Sequence, residues 1–518
     1  MMNPTPIVRP YFARLAGQAK GWRGHTRSVQ LSVLERLMRA CARTEFGAKR
    51  GVETPRSPEE AYDALRRAFP QPVEYAELRP WVMKMIDGGK DLLWPGRTVR
   101  FAQSSGTADG KSKYIPITPD SLRESHYRGA AMSVATYLDL YPDSRLFAGK
   151  SFILGGSFAN ELSLRPGVRV GDLSATLIDC INPLAGLVRV PSKKIALMED
   201  WAEKLPALIG AASRCNVTNI SGVPSWFLTV LKGILAHTGA SRLDEVWPGL
   251  EVFFHGGISM APYRSQYAAI CPPEMRYHEC YNASEGFFAA SDTIGSPAML
   301  MMLGCGTFYE FIPLSDVGSD RPRIIPAWEV EEGKVYALLL TSCNGLWRFP
   351  VGDTVRIECA DPLRITVAGR TKAFINAFGE ELMVENADTA LERVCGRMGC
   401  RVADYTAAPV YASDRSRGRH EWLIEFSTPP ADMARFAAEL DAELQNLNSD
   451  YQAKRSHGIF LDPLTVVAGR KGVFDDWLAA TGKRGGQRKV PRLSNSRHPI
   501  DEILAMNLET NPKNIHIS

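Results

Sequence analysis

A change in the pattern of predicted elements is the sequence feature that most constrains the fold of this chain. Between residues 150 and 281, apolar strands alternate with helices, as in a mostly parallel sheet covered on both faces. Between residues 298 and 368 the helices stop, and five predicted strands follow one another through tight connections. We therefore expect an α/β fold in which βα units are followed by an antiparallel, barrel-like part.

The predicted elements can be placed on the sequence. The first region contains three strands and a helix, at Ser151–Gly155, Val217–Ser221, Leu250–His255 and Pro224–His237. The second region contains the strands Ala298–Leu303, Thr307–Pro313, Lys334–Thr341, Gly345–Ile357 and Leu363–Ala368. The last third is typical of a compact α+β unit, with strands at Pro409–Ala412, Glu421–Ser427 and Leu464–Ala468 and helices at Glu385–Met398, Ala431–Lys454 and Val473–Thr481.

Two glycines flank a polar segment near residue 370, and this composition favours a domain junction. We expect a large N-terminal domain at residues 1–370, a hinge at 371–378 and a small C-terminal domain at 379–518. A chain of 518 residues is too long for a single hydrophobic core, which also favours two or three domains.

Composition indicates which partners the protein is expected to bind and in which compartment it is expected to work. The 61 basic and 57 acidic residues leave a net charge of only +4, which gives no general case for binding nucleic acid or an anionic membrane. Residues 1–40 lack the apolar core of a secretory signal, and the longest apolar stretches are too short to span a bilayer. The ten cysteines are scattered without zinc-ligand spacing, which indicates reduced thiols and a cytoplasmic protein.

The stretch FAQSSGTADGKSKYIPIT, residues 101–118, differs from a Walker A phosphate loop by one residue, because Ser105 stands where the first glycine belongs. A Walker A loop runs directly into a helix, but Ile115 precedes a proline and is pushed into an extended conformation. The next helix is predicted only from Thr118-Pro119. The loop is therefore not of the Walker type, although its hydroxyls, glycines and lysines suit phosphate oxygens. A solvated turn remains the alternative.

Three further stretches combine polar groups with predicted strands. HGGIS, residues 255–259, follows a strand directly, so its backbone lies at the sheet edge where α/β sheets bind ligands. In YNASEG, residues 281–286, an aromatic ring could stack on a base and Glu285 could hold Mg²⁺. Asp353 lies in an otherwise apolar strand, where two ribose hydroxyls or a structural salt bridge would satisfy its charge.

Taken together, SSGTADGKSKYIP, YNASEG, RFPVGD and GRTK resemble, in this order, the motifs of the adenylate-forming superfamily of acyl-CoA synthetases, peptide-synthetase adenylation domains and luciferases. Within that superfamily, the chain is similar to the bacterial form of the auxin-responsive acyl-acid–amido synthetases, the Gretchen Hagen family. The resemblance extends over nearly the whole chain and includes FHGGISMAPYR, GRTKAFINAFGEEL, LNSDYQAKR and RKVPRL.

The resemblance implies a ligase that uses Mg²⁺ and ATP. A small carboxylic acid and ATP would give an acyl-adenylate and pyrophosphate, and an amine, usually of an amino acid, would then displace AMP. A mobile C-terminal domain, a cytoplasmic location and a monomer or weak dimer are part of this expectation. No nucleic-acid or membrane partner is expected.

The resemblance also implies roles for particular positions. The triphosphate loop corresponds to Ser104, Ser105, Gly106, Thr107 and Lys113. The remaining nucleotide positions correspond to Gly256, Gly257, Tyr281, Asn282, Ser284, Glu285, Asp353 and Arg370, with Glu285 also the metal ligand. Lys489 matches the C-terminal lysine that acts with Lys113 in catalysis.

One departure and two alternatives stay open at this stage. Asp109 places a negative charge inside the phosphate loop, where it would repel phosphate unless a lysine offsets it. An acyl- or aryl-CoA synthetase would use a thiol in place of the amine, and a catalytically silent relative would bind nucleotide only. The basic segment at residues 482–497 could form a nucleic-acid arm, but delivery of Lys489 to the phosphates explains it more economically.

Overall fold

Helices form the first part of the chain in the computed structural model, which describes residues 3–509 apart from 105–112, 159, 161, 163, 258–259, 371–373, 376, 378–379, 381, 411–417, 449–450, 453–454, 456–460 and 482–489. The five helices are α1 (Thr5–Lys20), α2 (Thr26–Cys41), α3 (Glu45–Lys49), α4 (Pro58–Ala68) and α5 (Tyr75–Ile86). Local signals define α4, since Ser57 accepts a hydrogen bond from the Glu60 backbone at 3.2 Å and Pro58 begins the helix.

A small three-stranded sheet carries the loop motif. It consists of β1 (Arg100–Ser104), β2 (Lys113–Pro116) and β4 (Arg169–Gly171), in the order β2-β1-β4. β1 and β2 are antiparallel, whereas β1 and β4 are parallel. A π-helical segment at Ser121–Tyr127 follows and continues into α6 (Arg128–Leu140).

The main sheet has twelve strands. In chain order its members are β3 (Lys150–Ile153), β5 (Arg189–Val190), β6 (Val217–Gly222), β7 (Val252–His255), β8 (Arg276–Ala283), β9 (Gly286–Ser291), β10 (Met299–Met301), β11 (Thr307–Pro313), β12 (Ile325–Pro326), β13 (Val335–Ser342), β14 (Leu346–Ala360) and β15 (Leu363–Arg370). The strand order is β12-β11-β13-β14-β15-β10-β9-β8-β7-β6-β3-β5. The predicted parallel and antiparallel regions are therefore joined through β8, which is parallel to β7 and antiparallel to β9.

Helices accompany the parallel strands, as the alternation predicts. They are α7 (Leu173–Cys180), α8 (Pro183–Leu187), α9 (Lys193–Ala196), α10 (Trp201–Ala212), α11 (Pro224–Thr238), α12 (Leu243–Val246) and α13 (Arg264–Ile270). Phe227 of α11 packs edge-on against Phe152 and Phe253, with ring centroids 5.1 and 5.4 Å apart. These contacts bury the apolar strands and confirm the expected α/β class of the sheet.

The chain divides into a large unit, residues 1–351 and 355–367, and a small unit, residues 352–354 and 368–518. The small unit contains β16 (Phe374–Ile375), β17 (Leu382–Met383), α14 (Val384–Met398), β18 (Arg401–Val410), β19 (Arg419–Thr428), α15 (Met433–Leu447), β20 (Thr465–Gly469), α16 (Val473–Ala480) and α17 (His498–Glu509). Its three-stranded sheet has the order β18-β19-β20, with one antiparallel and one parallel pair. The expected α+β character is confirmed.

Two boundaries in the small unit differ from the sequence expectation. The strand predicted from Pro409 begins at Arg401, because bulges between Arg401 and Asp404 break the alternation that marks a strand. The helix predicted to end at Lys454 ends at Leu447, where Asn448 is extended and its side chain accepts a bond from the Tyr451 backbone at 2.7 Å.

The hinge expected at residues 371–378 falls mainly outside the described residues and stays a prediction. Among the helices that the structure describes, none combines the length and the apolar character needed to cross a membrane.

Candidate active site

The loop motif joins two strands of a hairpin. Ser104 ends β1 and Lys113 begins β2, and the two residues face each other across the antiparallel ladder. Ser105, Gly106 and Thr107 lie outside the described residues, as does Asp109. The segment after the loop is a strand, and helical residues begin only at Pro119. The prediction that this is not a Walker A loop is therefore confirmed.

Lys113 has aromatic surroundings that the sequence did not predict. Its ammonium lies 5.9 Å from the ring centroid of Tyr75 and 5.4 Å from that of Phe349. Both distances are within the range of cation–π attraction. Nothing in the local sequence around Lys113 identifies these two rings, because one lies on α5 and the other on β14.

Gly256 and Gly257 follow β7, and each occupies a position that disfavours a side chain. A Cβ atom on Gly256 would come within 2.0 Å of the Cys280 carbonyl oxygen. Gly257 has a φ of +81°, which side chains strongly disfavour. The two glycines therefore allow the chain to pass directly against β8, as expected for a backbone that approaches a ligand at the end of a parallel strand.

The YNASEG stretch forms the hairpin between β8 and β9. Ser284 and Glu285 are a two-residue turn between Ala283 and Gly286, which pair with each other, and they are only 3% and 7% exposed. Tyr281 is buried edge-on against Phe288, with ring centroids 5.0 Å apart.

A register shift between Tyr281 and Asn282 redirects the strand, and Asn282 is exposed. Its side-chain oxygen would lie 3.7 Å from a Cβ atom on Gly256. The structure therefore brings the glycine pair after β7 together with the start of YNASEG.

The other predicted positions lie elsewhere in the chain. Asp353 is buried near the middle of β14 and groups with the small unit rather than with the large one. Arg370 is the last residue of β15. Lys489 lies outside the described residues. The roles that the resemblance gives to these three positions stay predictions.

The described residues at the end of β7 and in the β8–β9 turn include groups that could contact a nucleotide. The glycine pair offers bare backbone, and the adjacent turn offers a hydroxyl and a carboxylate. Within the parts of the chain that are described, no cluster of three or more His, Cys, Asp or Glu side chains could hold a metal. Mg²⁺ would suit Glu285 only as one ligand among phosphate oxygens and waters, which is its usual environment beside nucleotides.

Two ionisable groups lie beside the glycine pair, and the sequence did not indicate how their pKa values would be shifted. His255 and Glu279 are neighbours in the parallel ladder of β7 and β8. Burial raises the pKa of Glu279 to about 6, and the charge of Arg264 partly opposes this rise. Burial lowers the pKa of His255 to about 4. His255 is the first residue of HGGIS and Glu279 lies two residues before YNASEG, but the sequence does not show that their side chains are buried.

Solved structures share this fold. An AtGH3.15 acyl acid amido synthetase in complex with 2,4-DB matches with a TM-score of 0.77 at 17% identity, over 97% of this chain and 96% of that chain. A 2-hydroxyisobutyryl-CoA ligase in the postadenylation state matches with a TM-score of 0.58 at 14% identity, over 93% of this chain and 92% of that chain. The fold is therefore that of the adenylate-forming ligases.

Family models identify the group more narrowly. Those for the GH3 family N-terminal, central and C-terminal domains match residues 22–179, 300–370 and 385–498. The chain belongs to the GH3 family, in agreement with the expected Gretchen Hagen resemblance.

One curated relative is the indole-3-acetic acid-amido synthetase GH3.3 of Arabidopsis thaliana, which is 28% identical over 51% of this chain and 46% of its own length. The alignment with the GH3.4 enzyme of the same plant covers 56% of that protein. The chain thus spans about half the length of the curated relatives that it matches first.

Proposed function

We propose that this protein is an ATP-dependent acyl-acid amido synthetase. In the first step it would adenylate a small carboxylic acid and release pyrophosphate. In the second step the amine of an amino acid would attack the acyl carbon, and AMP would leave. The relatives named as indole-3-acetic acid-amido and jasmonoyl–L-amino acid synthetases support an acid and an amino acid as the two substrates.

The observation that carries the proposal is the meeting of two motifs at neighbouring strand ends. Gly256 and Gly257 end the β7 segment against β8, and the buried Ser284–Glu285 turn ends β8 itself. Parallel strand ends are where open α/β sheets bind nucleotides. The Tyr281 side chain would contact one side of the adenine, and the Gly256–Gly257 backbone would lie along the adenine.

In this reaction the protein groups would mainly bind the substrates and stabilise negative charge on the phosphates. Negative charge builds up on the phosphates in the first step and on the departing AMP in the second, so preplaced cations and N–H donors lower both barriers. Lys113 would supply a positive charge at the mouth of the hairpin loop. Asp353 would accept hydrogen bonds from the ribose hydroxyls, and Arg370 would add a second nucleotide contact.

We further propose that Mg²⁺ is required and that Glu285 binds it. When bound beside ATP, Mg²⁺ neutralises phosphate charge. Glu285 would share the ion with phosphate oxygens and water, as one carboxylate commonly does. The Glu285→Gln variant should shift the Mg²⁺ titration of activity to higher concentration. Glu59→Gln, at an exposed position on α4, is the matched control and should leave the titration unchanged.

The decisive experiment is ATP–pyrophosphate exchange with the purified full chain across aryl, indolyl and fatty acids. We expect exchange that depends on Mg²⁺ and on one class of acid. The acid that supports exchange is then offered amino acids and, separately, coenzyme A, and the products are identified by mass spectrometry. An amide supports the proposal, whereas a thioester alone would identify a CoA ligase. ATP binding without exchange for any acid would identify a catalytically silent nucleotide-binding protein.

We also propose a cytoplasmic protein that is a monomer or weak dimer. All ten cysteines are free thiols, as is usual in a reducing compartment. Analytical ultracentrifugation across a concentration range would measure the oligomeric state.

A further inference from the structure

Two aromatic rings from distant parts of the large unit face the side chain of Lys113. Tyr75 begins α5, and Phe349 lies near the start of β14. The Lys113 ammonium is 5.9 Å from the first ring centroid and 5.4 Å from the second. A lysine has four rotatable bonds, so two such contacts limit the positions that its ammonium can take.

Tyr75 is fixed to the strand that carries Lys113. Its hydroxyl accepts a hydrogen bond from the Tyr114 backbone N–H at 2.6 Å and donates to the Tyr114 carbonyl at 3.4 Å. Burial raises the pKa of the Tyr75 hydroxyl, so it remains protonated and can make both bonds. The ring therefore keeps its place relative to the neighbouring residue of β2.

Phe349 is held by an unusual residue before it. Arg348 has a φ of +42°, a left-handed conformation that costs energy for any residue with a side chain. Its guanidinium donates to the Glu310 carboxylate at 2.8 and 2.5 Å and to the Phe69 carbonyl at 2.7 Å.

The Arg348 backbone is bound as well. Its N–H donates to the Thr341 hydroxyl at 3.0 Å, and its carbonyl accepts from the Val73 N–H at 3.1 Å. These bonds stabilise the left-handed conformation and fix the direction in which the chain presents Phe349. Arg348 is the arginine of the RFPVGD motif, and all of these bonds connect it to other parts of the fold.

We propose that Tyr75 and Phe349 are positioning residues that hold the Lys113 ammonium ready for the phosphates of ATP. Aromatic faces attract a cation without neutralising its charge. The two rings would therefore hold the Lys113 ammonium in place as a cation that phosphate oxygens attract. This inference rests on the adenylation step proposed above.

The first test measures nucleotide binding and the kinetics of exchange. The variants are Tyr75→Leu and Phe349→Leu, and the matched control is Phe308→Leu, which removes an equally buried ring from β11. We expect each test variant to weaken binding of α,β-methylene-ATP about 3- to 30-fold by calorimetry, as one cation–π contact would allow, and to raise KM for ATP but not KM for the acid. The control should change neither. Equal effects in all three variants would overturn the inference.

A conservative variant separates the Tyr75 ring from its hydroxyl. Tyr75→Phe keeps the aromatic face and loses both bonds to Tyr114. We expect a smaller loss of affinity than in Tyr75→Leu, and equal losses would contradict a role for the ring. If Phe349→Leu does not fold, Phe349→Met preserves the volume and tests the same contact.

The second test is independent of activity. Reductive ¹³C-methylation keeps the charge of lysine, and the Lys113 signal can be assigned in the NMR spectrum with Lys113→Arg. Ring currents should shift this signal in the parent protein, and either leucine variant should move it toward the position of exposed lysines. An unshifted signal in the parent would overturn the inference. If the parent shows this shift but no exchange with any acid, the proposed function fails while the positioning remains.

Discussion

Three histidines of the large unit and a charged cluster of the small unit show two ways of burying ionisable groups. His126, His255 and His278 are at most 4% exposed, and each has a ring nitrogen without a hydrogen-bond partner among the described residues. Burial lowers the pKa of the first two to about 4 and that of His278 to about 3. All three imidazoles are therefore neutral at pH 7.

In the small unit, Asp441 is buried next to an arginine. It accepts hydrogen bonds from the Arg455 guanidinium at 2.6 to 3.0 Å and from the Tyr451 hydroxyl at 2.7 Å. The Leu464 backbone N–H adds a third donor group at 3.3 Å. This cluster joins α15 to the segment that precedes β20.

The two arrangements respond differently to a change of charge. In the large unit, His255 and His278 lie on β7 and β8 and are neutral because burial opposes their protonation. The small unit uses a paired charge to connect its elements, so loss of one partner leaves the other buried and unsatisfied. We therefore expect acid to weaken the large unit through its histidines, whereas loss of one partner of a buried ion pair should weaken whichever unit contains the pair.

The largest expected effect is on adenylation, and it comes from a lysine of the small unit. The resemblance matches Lys489 of the small unit to the C-terminal lysine brought to the phosphates, and we expect it to act in adenylation alone. Lys489→Ala should then reduce pyrophosphate exchange by about two to four powers of ten, roughly 3–5 kcal/mol of transition-state stabilisation. Amide formation from chemically made acyl-adenylate should stay near the parent rate. Single-turnover assays of the two half-reactions measure this. Equal losses in both would mean that Lys489 serves throughout.

A second comparison breaks one buried pair in each unit. Arg348→Met would leave Glu310 unpaired at 1% exposure and should lower the free energy of unfolding by about 3–5 kcal/mol. Arg455→Met should cost less, because Asp441 retains the Tyr451 and Leu464 donors. Urea denaturation measures both.

The double variant Arg348→Met/Glu310→Leu is the control for this comparison. It removes both charges and should recover most of the stability lost in Arg348→Met. No recovery would show that the left-handed backbone at residue 348, rather than the ion pair, carries the effect.

The sequence predicted the sheet because apolar strands and amphipathic helices differ in period, and this difference survives in a single chain. The location of the two glycines at the end of β7 was predictable for the same reason, because they follow a recognisable apolar strand. The start of β18 was not predictable, because bulges at Arg401 and Val402 remove the alternation.

The surroundings of the site residues could not be predicted. Tyr75 and Phe349 meet Lys113 only because α5, β2 and β14 pack together. The pKa of Glu279 depends in the same way on burial by other elements. A resemblance can place a functional position, but the burial and charge around it come from the fold.

The histidines predict an acid-sensitive large unit. Their folded pKa values lie below the usual value of about 6.5, so the unfolded chain binds more protons and stability falls as pH drops from 6.5 toward 4. Each histidine should contribute about 1–2 kcal/mol to the loss between pH 7 and pH 5. In urea denaturation at the two pH values, His278→Gln should flatten this dependence. His237→Gln, at an exposed position, should not.

Glu279 gives the smallest and opposite effect. Its folded pKa of about 6 lies above the model-peptide value of a glutamate, so the folded state binds more protons and its contribution to stability falls as pH rises from 4.5 to 6. Glu279→Gln removes this cost. At pH 7 the variant should therefore gain about 1–2 kcal/mol relative to its own difference from the parent at pH 4. Glu53→Gln, at an exposed position, should show no such gain. If Glu279→Gln shows the same difference from the parent at both pH values, burial does not raise the pKa of the Glu279 carboxyl.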